Sequence, residues 1–99
     1  DRIFTAIAKE ANKQRLPLAK MAATETNLGC FEDKVLKNAL ACELIHDRYK
    51  DTKTCGLIAK DAAHGTFTYA FPAGPICAII PCTNPTSTAI AKSLMMAKT

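Results

Sequence analysis

The sequence predicts an α/β fold, because helical patterns fill the first half of the chain and β-forming stretches appear only in the second half. The apolar run Pro75–Ile80 is typical of a strand that is buried on both faces of a parallel sheet. A loop of small polar residues and a helical pattern from Pro85 follow it. In open α/β sheets, ligands bind at such loops, beyond the carboxyl ends of the strands. The loop after Ile80 is therefore the first candidate for a functional site.

Three amphipathic helices are predicted in the first half of the chain. They cover residues 1–14, 17–26 and about 32–50, and Pro17 suits the first position of a helix. Asn27-Leu28-Gly29 is expected to end the second helix, because Gly29 can adopt the left-handed conformation of a helix C-cap. The residues predicted to form the apolar sides are Ile3, Phe4, Ile7, Ala8 and Ala11, then Leu18, Met21 and Ala22, then Val35, Leu36, Ala39, Leu40, Ala41, Leu44 and Ile45.

The second half is predicted to contain three strands and a last helix. A short strand covers 54–58, a half-exposed strand covers 66–71, and the buried strand covers 75–80. The last helix covers 85–98, with an apolar side formed by Ala89, Ile90, Leu94 and Met95. A parallel strand and its helix need a second parallel strand to complete the unit. We therefore expect the chain to hold only part of a binding site.

Length and composition restrict the class of protein. Ninety-nine residues fit one small domain or part of a larger one. The first residue is Asp1 and not Met, and the helical pattern begins at once, so both ends are expected to be cut. A hydrophobic content of 48% argues against disorder. The net charge of +4 comes from scattered cations, so nucleic-acid binding is not expected. No apolar run approaches the roughly 18 residues of a membrane span, and no signal peptide is visible.

The five cysteines are predicted to be reduced thiols. Their number is odd, no pair has C-x-x-C spacing, and the two histidines are far from any paired ligand spacing, so no metal site is predicted. Cys82 lies beside a helix N-terminus, where a thiol pKa can be lowered and the thiolate can act as a nucleophile. No histidine lies near it in the sequence, and the alternative is that Cys82 is a small loop residue.

Two interpretations of the loop from Pro81 to Thr88 remain open. Asn84 is suited to cap the last helix, and Pro85 suits the next position. The first helical turn favours an anion or a developing negative charge, so the loop would cradle a cofactor phosphate or donate to the oxygen of a reacting carbonyl. The alternative is a well-capped helix with nothing bound. Neither the Rossmann fingerprint nor the P-loop pattern is present.

Several blocks of the sequence resemble the bifunctional aldehyde–alcohol dehydrogenases of fermentative metabolism. The blocks are Leu16–Ala22, Phe31–Val35 with Lys37-Asn38, Tyr49–Asp51 with Lys53–Gly56, and Thr83–Ile90 with Lys92–Leu94. They match in order and spacing near the start of the family's CoA-acylating aldehyde dehydrogenase domain. The resemblance implies a helical lead-in over 1–50. It also implies, over 51–99, the first strand, loop and helix of an aldehyde-dehydrogenase-type NAD-binding domain, which is incomplete at this length.

The resemblance also implies an activity. Members of the family convert acetyl-CoA and NADH to acetaldehyde and CoA, reversibly, through a cysteine thioester, and a second, iron-dependent alcohol dehydrogenase domain makes ethanol. The nucleophilic cysteine and the iron ligands lie beyond Thr99, so the chain alone is expected to be inactive. Family members form dimers and long filaments, which implies a homo-oligomer without a membrane or nucleic-acid partner. A cytoplasmic location is expected, and an organelle stays open because the start looks cut.

By resemblance, six residues line NAD near its nicotinamide end, namely Ile79, Ile80, Pro81, Cys82, Thr83 and Asn84. In ordinary aldehyde dehydrogenases an asparagine of this loop donates to the substrate oxyanion, and Asn84 is the candidate here. Thr83, however, aligns with that asparagine of the non-acylating relatives, so the donor is either Asn84 or Thr83. Cys82 replaces the usual threonine, which weakens a side-chain hydrogen bond there but leaves a backbone contact intact.

The sequence also suggests two alternatives to part of an enzyme, namely an assembly segment and a free-standing binding module. The strand at 66–71 has an apolar face that needs a partner, so the first alternative is a non-enzymatic assembly or interaction segment of the same protein. A free-standing nucleotide-binding module is disfavoured, because the predicted strand–helix unit is incomplete.

Overall fold

The computed structural model describes residues 1–99 and contains four α-helices and one antiparallel hairpin. The elements, in chain order, are α1 (Arg2–Lys13), α2 (Arg15–Thr26), α3 (Phe31–Tyr49), β1 (Gly56–Asp61), β2 (Thr66–Ala70) and α4 (Pro85–Lys98). The α/β fold class is confirmed. None of the helices is long and apolar enough to cross a membrane.

The four predicted helices are all present, and α4 has the predicted bounds. Helix α2 begins at Arg15, so Pro17 lies within its first turn and not at its first position. The proline is tolerated there because the first N–H groups of a helix have no partner within it. The chain leaves α2 at the predicted stop, Asn27-Leu28-Gly29. The C-cap is Asn27, with φ 51°, and Gly29 also has the predicted left-handed conformation, with φ 72°. Asparagine tolerates this conformation better than most residues.

The core lies where α1 and α4 pack against α3. It consists of Phe4, Ala8, Ala41, Cys42, Ile90 and Leu94. Phe4 and Leu94 are fully buried, and burying a side chain of this size stabilises a fold by about 1.5–3 kcal/mol. The spacing of apolar residues in α1 and α4 predicted both of these contacts.

The predicted apolar side of α3 is only partly confirmed. Ala41 is buried as predicted, and Val35, Ala39 and Ile45 are half-buried, whereas Leu36, Leu40 and Leu44 are exposed. The other buried residues of α3 are Lys34, Asn38 and Cys42. The reason is that α1, α2 and α4 contact the side that carries Lys34 and Asn38, whose polar atoms find partners there. Four other residues predicted to be apolar contacts are also exposed, namely Ile3, Met21, Ala89 and Met95.

The hairpin confirms the two predicted strands with shifted bounds. Strands β1 and β2 pair antiparallel from Gly56 opposite Ala70 to Asp61 opposite Thr66, with an irregularity between Leu57 and Ala59. The hairpin contacts none of the helices. Both faces of β2 are therefore exposed, and the prediction of a half-exposed strand is wrong in this respect.

The predicted buried strand over 75–80 is absent. Residues 75–80 form neither helix nor strand, and Ile76 and Ile79 are 45% and 84% exposed. An extended segment becomes a strand only when a neighbouring strand takes up its backbone N–H and C=O groups. The only sheet is the hairpin, and this segment is not paired with it.

Candidate active site

The six predicted site residues form one exposed stretch that leads into α4. Residues 79–83 are exposed, and Asn84 at the N-cap of α4 is half-buried. The structure brings the end of this stretch against the N-terminal half of α3, where two lysines contact Thr83 and Asn84. Ile79, Ile80, Pro81 and Cys82 continue away from that contact.

Asn84 occupies the N-cap position, but its side chain makes no capping hydrogen bond. The prediction that it caps α4 is therefore wrong as regards the side chain. The Asn84 Oδ1 atom instead accepts a hydrogen bond of 2.9 Å from Nζ of Lys37. The Asn84 Nδ2 atom donates a hydrogen bond of 3.4 Å to Oγ1 of Thr83. The carbonyl end of the amide thus contacts an ammonium group, and the N–H end contacts the neighbouring hydroxyl.

Lys34 fixes the backbone of the same loop. Its Nζ atom donates to the Thr83 carbonyl oxygen at 3.1 Å. Lys34 is only 5% exposed, and it forms no ion pair with a carboxylate, although burying a charge is costly without compensating contacts. The loop therefore supplies a hydrogen-bond acceptor for the buried ammonium group, and the ammonium group in turn holds the backbone of the loop in place.

Asn38 connects the first turn of α4 to α2 through α3. Its Nδ2 atom donates to the Arg15 carbonyl oxygen at 3.1 Å, and its Oδ1 atom accepts from the Thr86 hydroxyl at 2.9 Å. Asn38 is fully buried. Removing either end of such a network leaves buried polar groups without partners. The loop is thus held from both sides of Asn84, by Lys34 and by Asn38.

A small cavity lies between the start of α3 and the loop. Its volume is about 250 Å³, and its lining residues are Leu28, Gly29, Cys30, Asp33, Lys34, Lys37, Thr83 and Asn84. Ligand pockets are usually about 300–1,000 Å³, so this space fits only one part of a larger ligand.

The arrangement is suited to stabilising negative charge. The first turn of α4 is not capped by the Asn84 side chain, and Pro85 has no N–H, so the next N–H groups form the positive end of the helix dipole. Asn84 occupies the N-cap position directly before these N–H groups. Donors held in place before a reaction stabilise a developing oxyanion without further reorganisation.

The structure favours the interpretation of Cys82 as a small loop residue. Cys82 is exposed, and the two histidines contact other groups, His46 near Thr5 and His64 near Asp61. Neither histidine is therefore positioned to activate the Cys82 thiol. Cys42 is buried in the core, and burial raises the pKa of its thiol, which is the opposite of what a nucleophile requires.

Lys34, Lys37 and Asn38 were not predicted as contacts of the candidate site. Hydrophobic spacing assigned the apolar side of α3 by its leucines, although these three polar residues are the ones that contact the loop or its helix. The available signal was their spacing, because residues three and four apart lie on one face of a helix.

Comparison with known proteins identifies the class. No protein-family profile matches the sequence. The bifunctional aldehyde–alcohol dehydrogenase of Escherichia coli strain K12 is 56% identical over all 99 residues, which make up 11% of that protein. The aldehyde–alcohol dehydrogenase of Clostridium acetobutylicum is 50% identical over 99 residues, or 12% of its length.

A solved structure agrees with these relatives. The crystal structure of an acetylating aldehyde dehydrogenase from Geobacillus thermoglucosidasius superposes with a TM-score of 0.94 at 42% identity, over 99% of this chain and 22% of that one. The fold is therefore that of one part of an aldehyde dehydrogenase. The chain belongs to the acylating aldehyde dehydrogenases, and it corresponds to the N-terminal part of these relatives. It spans about a tenth of the length of the first relatives it matches.

Proposed function

We propose that this chain is part of an NAD-dependent, CoA-acylating acetaldehyde dehydrogenase. The proposed reaction is acetyl-CoA + NADH + H⁺ ⇌ acetaldehyde + CoA + NAD⁺. The observation that carries the proposal is the Asn84 amide, whose carbonyl end accepts a hydrogen bond from Lys37. Its Nδ2 group gives one N–H to Thr83 and keeps a second N–H for an oxyanion. The relatives, which are named as aldehyde–alcohol and acetylating aldehyde dehydrogenases, supply the reaction class.

Residues 79–84 are proposed to line the nicotinamide end of NAD. This stretch is exposed up to Asn84 and leads into a helix N-terminus whose first turn lacks a side-chain cap, features that suit a dinucleotide beside backbone donors. The nicotinamide, when bound, supplies or accepts the hydride. The loop contributes backbone groups and small side chains that let a ligand approach closely. The cysteine that carries the acyl group is proposed to lie in polypeptide outside these 99 residues.

Asn84 is proposed as the oxyanion donor. An ammonium group has donors and no acceptor, so the contact with Lys37 requires that Oδ1 faces the lysine and Nδ2 faces away. Thr83 stays the alternative donor, because its hydroxyl lies next to Nδ2. Asn84 has two N–H groups and gives one at most to Thr83, so it is the better placed of the two.

The remaining assignments follow from the family. Residues 51–99 are proposed to begin the NAD-binding unit after the helical residues 1–50. An iron-dependent alcohol dehydrogenase domain, a homo-oligomeric or filamentous assembly and a cytoplasmic location are proposed for the whole protein.

The direct test is the Asn84→Ala variant of the intact enzyme. Removing one oxyanion donor lowers the rate by about 100- to 1000-fold, so we expect kcat for acetyl-CoA reduction by NADH to fall by that factor. The melting temperature should change little, because the Asn84 side chain does not cap α4. Thr83→Val is the matched variant, and a larger loss there would transfer the role to Thr83. Wild-type turnover in both variants would refute the loop's part in catalysis.

A second candidate function is assembly without catalysis, and one observation favours it. The hairpin contacts no helix and exposes Leu57, Ile58, Phe67 and Tyr69. Apolar side chains on a projecting hairpin are typical of a partner contact. Size-exclusion chromatography with light scattering separates the two candidates. The second candidate function would be favoured if the chain assembles, does not bind NAD, and belongs to an intact protein that does not reduce acetyl-CoA.

A further inference from the structure

Lys37 is the residue that sets the orientation of the Asn84 amide. The bond from Lys37 Nζ to Asn84 Oδ1 is 2.9 Å long and joins α3 to α4 across 47 positions of sequence. Lys37 itself is exposed. The Asn84 side chain makes no bond to its own helix, and its other contact is the 3.4 Å hydrogen bond that Nδ2 donates to the Thr83 hydroxyl. Because a hydroxyl can accept or donate whereas an ammonium group only donates, Lys37 is the partner that determines the orientation of the amide.

The hydrogen bond between Lys37 and Asn84 forms in only one orientation of the amide. A side-chain amide has one accepting and one donating end, and a rotation of 180° exchanges them. A lysine ammonium only donates, so the reversed amide would place two N–H groups against it and lose the bond. A charge-assisted hydrogen bond is also stronger than a neutral one and polarises the group that accepts it. The N–H end of Asn84 therefore becomes both oriented and more acidic.

Lys34, one turn earlier on α3, makes the pair rigid. Its Nζ atom holds the Thr83 carbonyl oxygen at 3.1 Å, which fixes the backbone directly before Asn84. Lys34 and Lys37 are three residues apart and lie on the same face of the helix. The first positions the backbone, and the second positions the side chain.

We propose that Lys37 is a positioning residue for the oxyanion donor. It holds the Asn84 amide with Nδ2 toward the reacting carbonyl oxygen and makes no contact with substrate itself. This inference rests on the proposed function of Asn84 and adds to it a second residue that nothing in the loop sequence indicates.

The test is a double-mutant cycle in the intact enzyme, assayed with acetyl-CoA and NADH. Misplacing a catalytic group by about 1 Å can cost about 100-fold, so we expect Lys37→Met to lower kcat by about 10- to 100-fold. KM for NADH should stay unchanged. Lys37→Arg keeps a donor and should recover most of the activity. Lys20→Met, which removes the same charge from an exposed site on α2, should leave kcat unaltered.

The double variant separates positioning from a general effect on structure. If Lys37 acts through Asn84, Lys37→Met should cost nothing further once Asn84 is alanine. The inference would be overturned if the losses of kcat in the two single variants multiply in the double variant, or if the Lys37→Met enzyme has wild-type kcat. In either case a low kcat of the Asn84→Ala enzyme would still support the proposed function. A wild-type protein that does not reduce acetyl-CoA would instead refute the proposed function itself.

Discussion

The helices and the segment from residue 51 to residue 84 follow opposite patterns of burial. All 11 buried residues lie in α1–α4, and residues 51–84 contain none. The helices contact one another, whereas the hairpin contacts only itself. A helix satisfies its backbone hydrogen bonds within its own residues, but a strand needs a neighbour. The helical part therefore carries the stability of this chain, whereas the residues from 51 to 84 remain exposed.

The largest effect is expected when a phenylalanine of the helical core is replaced by alanine, compared with the same replacement in the hairpin. Phe4→Ala removes a fully buried ring that stacks on His46 with centroids 5.1 Å apart, and we expect it to cost about 3–5 kcal/mol of unfolding free energy. Phe67→Ala removes a ring that is 53% exposed on the hairpin, and it should change stability by no more than about 0.5 kcal/mol. Urea denaturation of both variants measures this. Equal costs would mean that the hairpin is covered in solution.

A smaller effect is expected at the junction between the core and the loop. Asn38→Ala leaves the Arg15 carbonyl and the Thr86 hydroxyl without their partner, and a lost buried partner costs about 1–3 kcal/mol. Lys13→Ala is the control, because its ammonium group bonds only Glu10 at the surface, and it should cost no more than about 0.5 kcal/mol. A neutral Asn38→Ala variant would show that the network does not hold α4 in place.

The smallest effect is expected in the segment that the sequence predicted to be a buried strand. Ile79 is 84% exposed, so Ile79→Ala should change the stability of this chain by less than about 0.5 kcal/mol. Amide hydrogen exchange over residues 76–80 should be fast, because these N–H groups belong to no ladder. Protection in the intact enzyme, together with fast exchange in this chain, would show that a strand from elsewhere pairs with the segment. Slow exchange in both would contradict the structure described here.

The candidate site shows the same division between local and distant causes. The small polar residues of the loop and the Asn84-Pro85 pair predict the candidate site, and both are local signals. The contacts of Lys34 and Lys37 with that loop join residues 49 and 47 positions apart. Hydrophobic spacing favoured the leucine side of α3 as the buried one, because it ignores polar side chains that find partners in the tertiary structure.

Local features of the sequence are enough to predict the four helices, the two strands of the hairpin and the position of the loop before α4, because caps, periodicity and β-forming residues act over a few neighbouring positions. The buried side of α3, the unpaired state of residues 75–80 and the bond from Lys37 to Asn84 are settled by long-range contacts. Each of these depends on a partner far away in the chain, or on the lack of one, and local patterns do not indicate such a partner.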